Sequence, residues 1–165
     1  MRSLVLVLLA AGSLHAQTPA PCSATEYRQF DFWLGDWDVV GPNGNPAGTN
    51  SISRILGGCV LQEHWKGAGG GEGMSFNTYD ASRHLWHQTW VDDHGSLLEL
   101  DGALAEGRMV LSGTTAARRG GSVLNRITWS RLDDTGSRVR QLWETSSDGG
   151  KTWTTSFDGT YRKRG

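Results

Sequence analysis

Charge of one sign, long apolar runs and catalytic signatures are all scarce in this 165-residue sequence. Lys and Arg number 16 against 17 Asp and Glu, so the net charge of −1 gives no electrostatic footprint for nucleic acid. Beyond the first residues no segment approaches the length of a membrane-spanning helix, and the protein is not expected to span a membrane. A G-x-S-x-G elbow, a phosphate loop and a zinc-ligand spacing are also missing, so we expect no cofactor and no metal.

The first residues carry the one extended apolar run. MRSLVLVLLAAGSLHAQ combines a basic residue, Arg2, with an apolar stretch from Leu4 to Ala11 and small or neutral residues up to Ala16. This arrangement is typical of a secretory signal peptide, and the stretch is too short to span a bilayer. We expect a signal peptide at 1–16, export to the periplasm or the extracellular space, and a single domain over 17–165.

Only two cysteines are present, Cys22 and Cys59. In an oxidising compartment they are expected to form a disulfide between the N-terminal arm and a strand beginning near residue 59. Such a bond would stabilise the fold by roughly 3 to 4 kcal/mol. The alternative is a cysteine nucleophile, which would have to stay unpaired outside the cytoplasm.

Glycine-rich turns divide the chain into short segments rich in Val, Ile, Leu, Thr, Trp and Tyr. This pattern indicates an all-β domain of about nine or ten antiparallel strands. Short connections favour a single up-and-down β-barrel over an open sandwich, and a barrel of this size has room for one small ligand. Residues 23–35 alone are suited to a short helical turn, with Ser23 as its cap and Glu26 three residues later.

Eight tryptophans stand in these segments, most of them at alternate positions. A period of two places them on one face of each strand, so a barrel closed on that face has an aromatic interior. One strand register predicts a ligand-binding set of five tryptophans and four polar residues: Glu63, Trp65, Trp86, Gln88, Trp90, Asp92, Trp129, Gln141 and Trp143. A slip of one residue would invert any of these strands.

The four polar members of this set need partners, because polar groups are costly inside a barrel. One interpretation is a satisfied hydrogen-bond network that fixes the strand register. The other makes Glu63 or Asp92 a carboxylate of raised pKa that orients a ligand or moves a proton. Arg126 and Arg140 fall on the opposite face, where charge is solvated.

Leu34-Gly35-Asp36-Trp37 contains a Gly-x-Trp pattern that resembles the first-strand signature of the lipocalins and wider calycins, in which the tryptophan plugs one end of the barrel. The strings FDFWLGDWDV, GGCVLQEHW, GMSFNTYD, WHQTWVD and WETSSDGGKTW resemble a family of exported bacterial proteins of uncharacterised function, over nearly all of the mature chain. The resemblance implies a calycin-like barrel with a structural Trp37, and it assigns no catalytic residue.

Residues 146–153 fit the pattern S-x-D-x-G-x-T-W, which resembles the Asp-box of sialidases, a hairpin device remote from their catalytic centre. Asp148 is suited to accept hydrogen bonds from turn amides, the glycines permit positive φ, and Trp153 is expected to pack against the next strand. We interpret this segment as a structural turn.

The four histidines of the mature chain are His64, His84, His87 and His94. Zinc needs three or four converging ligands, and no spacing here matches a zinc motif. In the register above, His64 and His87 point outward, and we interpret all four as surface or loop residues. Haem bound through His64 is the alternative for an inverted register, because some small calycin-like barrels bind haem through one histidine.

Three functional hypotheses follow. The first is an exported barrel that binds a small apolar or aromatic molecule in its Trp-lined interior. The second is a cofactor-independent enzyme, an isomerase, cyclase or hydrolase, with Glu63 or Asp92 as general acid or base. The third is an envelope structural or partner-binding protein whose tryptophans fill the core, which a large exposed apolar patch would favour. No oligomeric state is predicted.

Overall fold

Ten antiparallel strands close into one barrel in the computed structural model, which describes residues 20–117 and 120–165. The expected signal peptide at 1–16 lies outside the described residues. The strands are β1 Gly35–Val40, β2 Pro46–Ile55, β3 Val60–Gly67, β4 Glu72–Asp80, β5 Leu85–Asp92, β6 Leu97–Ala105, β7 Arg108–Ala116, β8 Ser122–Arg131, β9 Arg138–Ser146 and β10 Thr154–Lys163.

The strand order is that of an up-and-down barrel. Each strand pairs with its neighbours in sequence, and β1 pairs with β10 to close the sheet. This confirms the fold class predicted from the short glycine-rich connections. The described helices are all short 3-10 turns, and none has the length or hydropathy to cross a bilayer.

The tryptophan-bearing face is the inner face of the barrel. Trp86 and Trp129 are almost fully buried, as are Glu63 and Gln88, at 4% and 2% exposure. The strand register inferred from the spacing of the tryptophans is therefore that of the structure.

The outer face carries the two arginines that the register placed there. Arg126 pairs with Glu144 across β8 and β9, with 2.9 Å between Nη2 and Oε2. Arg140 pairs with Asp158 across β9 and β10, at 2.8 Å. Both side chains are partly exposed, so these pairs lie in or near solvent and contribute little to stability.

The segment before β1 plugs one end of the barrel, here called the base. It contains two 3-10 helices, Thr25–Arg28 and Asp31–Trp33. Phe30 and Trp33 are fully buried, and their stacked rings have centroids 5.0 Å apart. The ring centroids of Phe30 and Trp129 are 5.1 Å apart. The Trp37 indole donates to the Trp33 carbonyl at 2.9 Å, which fixes β1 against the plug. Aromatic side chains thus fill the base.

The predicted helical turn is present, but Ser23 does not cap it. The first 3-10 helix begins at Thr25, so Ala24 occupies the cap position, and no side chain caps the helix there. Cys22, which precedes Ser23, has a positive φ of 55° and forms a disulfide with Cys59.

Cys22 and Cys59 form the predicted disulfide, with their Cα atoms 5.1 Å apart. The bond joins the plug to the loop between the 3-10 helix Leu56–Gly58 and β3. Arg28 strengthens the same junction by donating to the carbonyl of Gly58 as well as to that of Cys22. Because no cysteine in the described residues is free, a cysteine nucleophile is excluded there.

The Asp-box segment is a tight turn between β9 and β10 at the other end of the barrel, here called the mouth. Asp148 Oδ1 accepts from the backbone amides of Lys151 and Thr152 at 3.0 and 2.9 Å. The Thr152 hydroxyl, which also donates to this carboxylate, is the first cause of its lowered pKa. Gly149 adopts a φ of 74°, and the Arg126 guanidinium lies 4.1 Å from the centre of the Trp153 ring. This confirms the structural interpretation of the motif.

Candidate ligand-binding pocket

A pocket of about 190 Å³ lies inside the barrel, on the mouth side of the aromatic plug. Its walls are four aromatic rings and two aliphatic side chains: Trp65, Trp90, Trp143, Phe157, Leu98 and Ile127. The Trp65 and Phe157 rings meet edge to face, with centroids 5.8 Å apart. All four aromatic side chains are only partly buried, so the pocket opens towards solvent.

Glycines on neighbouring strands make room for two of the wall indoles. A Cβ atom on Gly73 would lie 2.2 Å from Cζ2 of Trp90, and one on Gly48 would lie 2.3 Å from the Lys66 carbonyl oxygen and 2.7 Å from Cη2 of Trp65. Real Cβ atoms do not approach other atoms so closely, so a side chain at either position would displace the indole beside it. The positions of Trp65 and Trp90 therefore depend on these two glycines. Trp143 is fixed differently, by donating its indole N–H to Asn125 Oδ1 at 3.0 Å.

Four polar side chains form the floor of the pocket: Glu63, Gln88, Gln141 and Tyr161. Glu63 is at the centre of a buried hydrogen-bond network. Asn50 Nδ2 donates to Glu63 Oε1 and the Ser75 hydroxyl donates to Glu63 Oε2, each at 2.6 Å. Gln88 joins the network through Ser75 and Asn77, at 3.3 and 2.8 Å. The network confirms that these buried polar residues are paired with one another.

The same network crosses the barrel to β10 and β9. Asn50 Nδ2 also donates to the Tyr161 hydroxyl at 3.2 Å, and Tyr161 donates to Gln141 Oε1. Burial, and next the negative charge of Glu63, raise the pKa of Tyr161 well above its usual 10.0. Tyr161 is therefore a neutral hydrogen-bond donor at physiological pH.

Burial raises the pKa of Glu63 from 4.5 to about 7, because the low-dielectric interior disfavours the charged carboxylate. The hydrogen bonds from Ser75 and Asn50 oppose this effect without overcoming it. Near neutral pH the carboxyl group therefore exchanges between its charged and neutral forms. A carboxyl group so poised can accept a hydrogen bond from a ligand or take up a proton.

Six of the nine side chains predicted to form the site line this pocket: Glu63, Trp65, Gln88, Trp90, Gln141 and Trp143. Trp86 and Trp129 are also inside the barrel, but they pack on the plug and do not line the pocket. The Trp86 indole donates to Gln29 Oε1 at 3.2 Å, and the rings of Trp129 and Trp33 lie 5.3 Å apart. The plug occupies the end of the barrel in which these two tryptophans lie.

Asp92, the ninth predicted residue, closes a turn at the mouth. Its Oδ1 accepts from the backbone amides of His94 and Ser96, at 3.0 and 2.9 Å. These hydrogen bonds, the one from Ser96 first, lower its pKa. Of the two carboxylates considered for a raised pKa, Glu63 or Asp92, Asp92 is therefore excluded, since hydrogen bonding to its charged form outweighs desolvation. Asp92 also does not line the pocket.

The four described histidines lie outside the pocket. His64 and His87 are on the outer face, as predicted, where His64 contacts Glu72 and His87 Nδ1 lies 2.7 Å from Asp101. His94 Nδ1 lies 2.8 Å from Asp93 in the exposed turn, and His84 occupies the turn before β5. Over 20–117 and 120–165, no three His, Cys, Asp or Glu side chains group as metal ligands would.

Neither the scan against protein-family models nor the search of curated proteins finds a match to this chain. The site residues that sequence reasoning missed include Asn50, Ser75, Asn77, Leu98, Phe157 and Tyr161. Ser75 and Asn77 alternate along β4, and Asn50 stands two residues before buried Ile52. Period-two alternation along β2 and β4 could have identified these three residues. Neither strand contains a tryptophan, however, to indicate which of its faces points inward.

Proposed function

We propose that this protein is an exported binding protein for a small apolar or aromatic molecule. The observation that carries the proposal is a pocket of about 190 Å³ between Trp65, Trp90, Trp143 and Phe157, with Glu63 on its floor. Apolar walls with a few convergent polar groups are the usual composition of small-molecule sites. A dry cavity of about 150 Å³ is large enough for benzene, so this pocket suits one ring or two fused rings.

The disulfide supports export, because such bonds persist in the periplasm and outside the cell. The apolar segment at 1–16 has the composition of a signal peptide. Kinship with the uncharacterised exported proteins that share the FDFWLGDWDV string, and through them with the calycins, is part of this proposal. Trp37, the tryptophan of the calycin-like pattern, is fully buried, which fits the plugging role that the resemblance implies.

Calorimetric titration with naphthalene tests the binding proposal. At about 0.6 kcal/mol per heavy atom, its dissociation constant should be on the order of 50 µM. Gly73→Ala should weaken binding at least about tenfold, because the new Cβ would push the Trp90 indole out of its position. Gly69→Ala is the matched control, since a Cβ there meets no atom within 4 Å.

Wild-type protein that binds neither naphthalene nor quinolin-2(1H)-one, a more polar bicyclic compound of similar size, would contradict the proposal. Equal affinity in Gly69→Ala and Gly73→Ala would show that binding takes place away from Trp90. Circular dichroism of both variants establishes that the barrel is intact before they are compared.

A second function, proton transfer without a cofactor, is favoured by one observation: the pKa of Glu63 is about 7, close to that of an efficient general base. On a cyclic ketone such as 2-tetralone, Glu63 would take a proton from the carbon beside the carbonyl and return one to the same carbon. In D₂O this exchange incorporates deuterium, which proton NMR follows. Exchange should accelerate as the pH rises through about 7 and disappear in Glu63→Gln; exchange at the uncatalysed rate in wild-type protein would exclude this function.

A further inference from the structure

Nearly all N–H and O–H groups of the hydrogen-bond network below the pocket already donate to acceptors within the protein. Both amide protons of Asn77 are donated, to Ser75 Oγ at 2.9 Å and to the Leu61 carbonyl at 3.2 Å. Both amide protons of Gln88 are donated, to Asn77 Oδ1 and Ser75 Oγ. The hydroxyl proton of Ser75 goes to Glu63. When Glu63 is charged, no N–H or O–H is left for a ligand on this side of the floor.

Several hydrogen-bond acceptors of the same network, by contrast, have room for a further donor. Gln88 is 2% exposed and lines the pocket, and its Oε1 accepts no hydrogen bond from any described residue. Each oxygen of Glu63 accepts one hydrogen bond from the network and retains a further lone pair. Asn50 Oδ1 is buried without a partner among the described residues, which shows the same excess of acceptors.

Gln141, on the other side of the floor, offers the pocket a hydrogen-bond donor instead of an acceptor. Asn50 donates to the oxygen of Tyr161, so the single phenolic proton of Tyr161 is free to go to Gln141 Oε1. That bond fixes the Gln141 amide with its oxygen towards Tyr161. The two protons of Gln141 Nε2 find no acceptor among the described residues, and Gln141 lines the pocket. Gln141 thus adds a donor to a floor whose other free groups, on Glu63 and Gln88, are acceptors.

We propose that the pocket takes a planar nitrogen heterocycle with a ring N–H beside a carbonyl, its N–H donating to Glu63 and its carbonyl accepting from Gln141. The proposal rests on the function proposed above and narrows the ligand class. Ring compounds of the same size without the N–H are disfavoured, because they leave the buried acceptors of Glu63 and Gln88 without a donor.

Three bicyclic probes separate this proposal from the binding function itself. Quinolin-2(1H)-one has the N–H and the carbonyl, its N-methyl derivative has lost the donor, and naphthalene has neither group. By calorimetry at pH 8, where Glu63 is mainly charged, the lactam should bind at least about tenfold more tightly than the N-methyl compound. If naphthalene binds and the two quinolinones are equal, the inference fails while the proposed function stands. If none of the three probes binds, both fail.

Two variants assign the preference to the floor residues. Glu63→Gln should reduce the tenfold preference for the lactam to about twofold or less, since a neutral amide is a weaker acceptor. Gln141→Leu should weaken lactam binding several-fold and leave naphthalene binding unchanged or tighter. His64→Gln, on the outer face of the same strand as Glu63, is the matched control and should keep the full preference. The full preference in Glu63→Gln, or lactam binding as tight in Gln141→Leu as in wild-type protein, would overturn the assignment.

Discussion

Replacing Glu63 with Gln should remove a pH dependence from the stability of the fold. Burial raises the pKa of this carboxyl from 4.5 to about 7, so between these values the folded state holds a proton that the unfolded state has released. The stabilising contribution of Glu63 is therefore complete below about pH 4.5 and is lost as the pH rises through about 7. The direction is opposite to that of an acid with a lowered pKa, such as Asp158.

The size of the effect follows from the same two pKa values. Each pH unit in which the two states differ by one proton changes the free energy of unfolding by about 1.4 kcal/mol. Integrated from pH 5 to pH 8, wild-type protein should lose about 2.5 kcal/mol relative to Glu63→Gln. Tyr161, the other titratable group in the network, contributes nothing in this range, because its pKa lies well above 10.0.

Urea unfolding of both proteins at half-unit pH intervals measures this difference directly. Groups outside the network titrate in both proteins and cancel in the comparison. Glu99→Gln, which removes an exposed carboxylate on the outer face of β6, is the control and should follow wild-type protein. If the free energies of unfolding of wild-type protein and Glu63→Gln run parallel from pH 5 to pH 8, the account of Glu63 as a buried acid of raised pKa is refuted.

Three other substitutions test the elements that hold the pocket in place. Converting Cys22 and Cys59 to Ser should lower the free energy of unfolding by about 3 to 4 kcal/mol in denaturant titrations, because the disulfide closes a loop with a sequence separation of 37; an unchanged midpoint would contradict this. Trp33→Ala should cost about 3 to 5 kcal/mol in the same assay, since it empties the base plug. Asp148→Ala should lower the thermal midpoint, as it leaves the amides of the mouth turn without their acceptor, whereas Lys151→Ala in that turn should not.

Alternation and turn composition were enough to predict the barrel and the inner face of its strands. Trp86, Gln88 and Trp90 alternate within eight residues of β5, so a single register satisfies all three at once. The glycines between strands specify tight connections, which lead to an up-and-down order. Both patterns lie within short segments of the chain, so each can be recognised without knowledge of the rest of the fold.

The division of the interior could not be predicted in the same way. Trp86 and Trp129 differ from Trp90 and Trp143 only in which end of the barrel they occupy, and the plug formed by Phe30 decides that difference. The floor network joins Asn50 to Tyr161 across 111 positions of the chain, through the closure of β1 on β10. Such contacts depend on the closed barrel as a whole. The prediction that Asp92 lines the pocket was wrong for a simpler reason. A short acidic side chain at a strand end accepts hydrogen bonds from the backbone amides of the next turn.

The central claim is that only some of the tryptophans line a binding pocket, and the NMR signals of their indole N–H groups test it most directly. In ¹⁵N-labelled protein titrated with naphthalene, the signals of Trp65, Trp90 and Trp143 should shift together and saturate. Those of Trp33 and Trp129 should stay in place, because their rings are buried in the base. Shifts confined to the base tryptophans, or no shift in any signal at saturating naphthalene, would contradict the account.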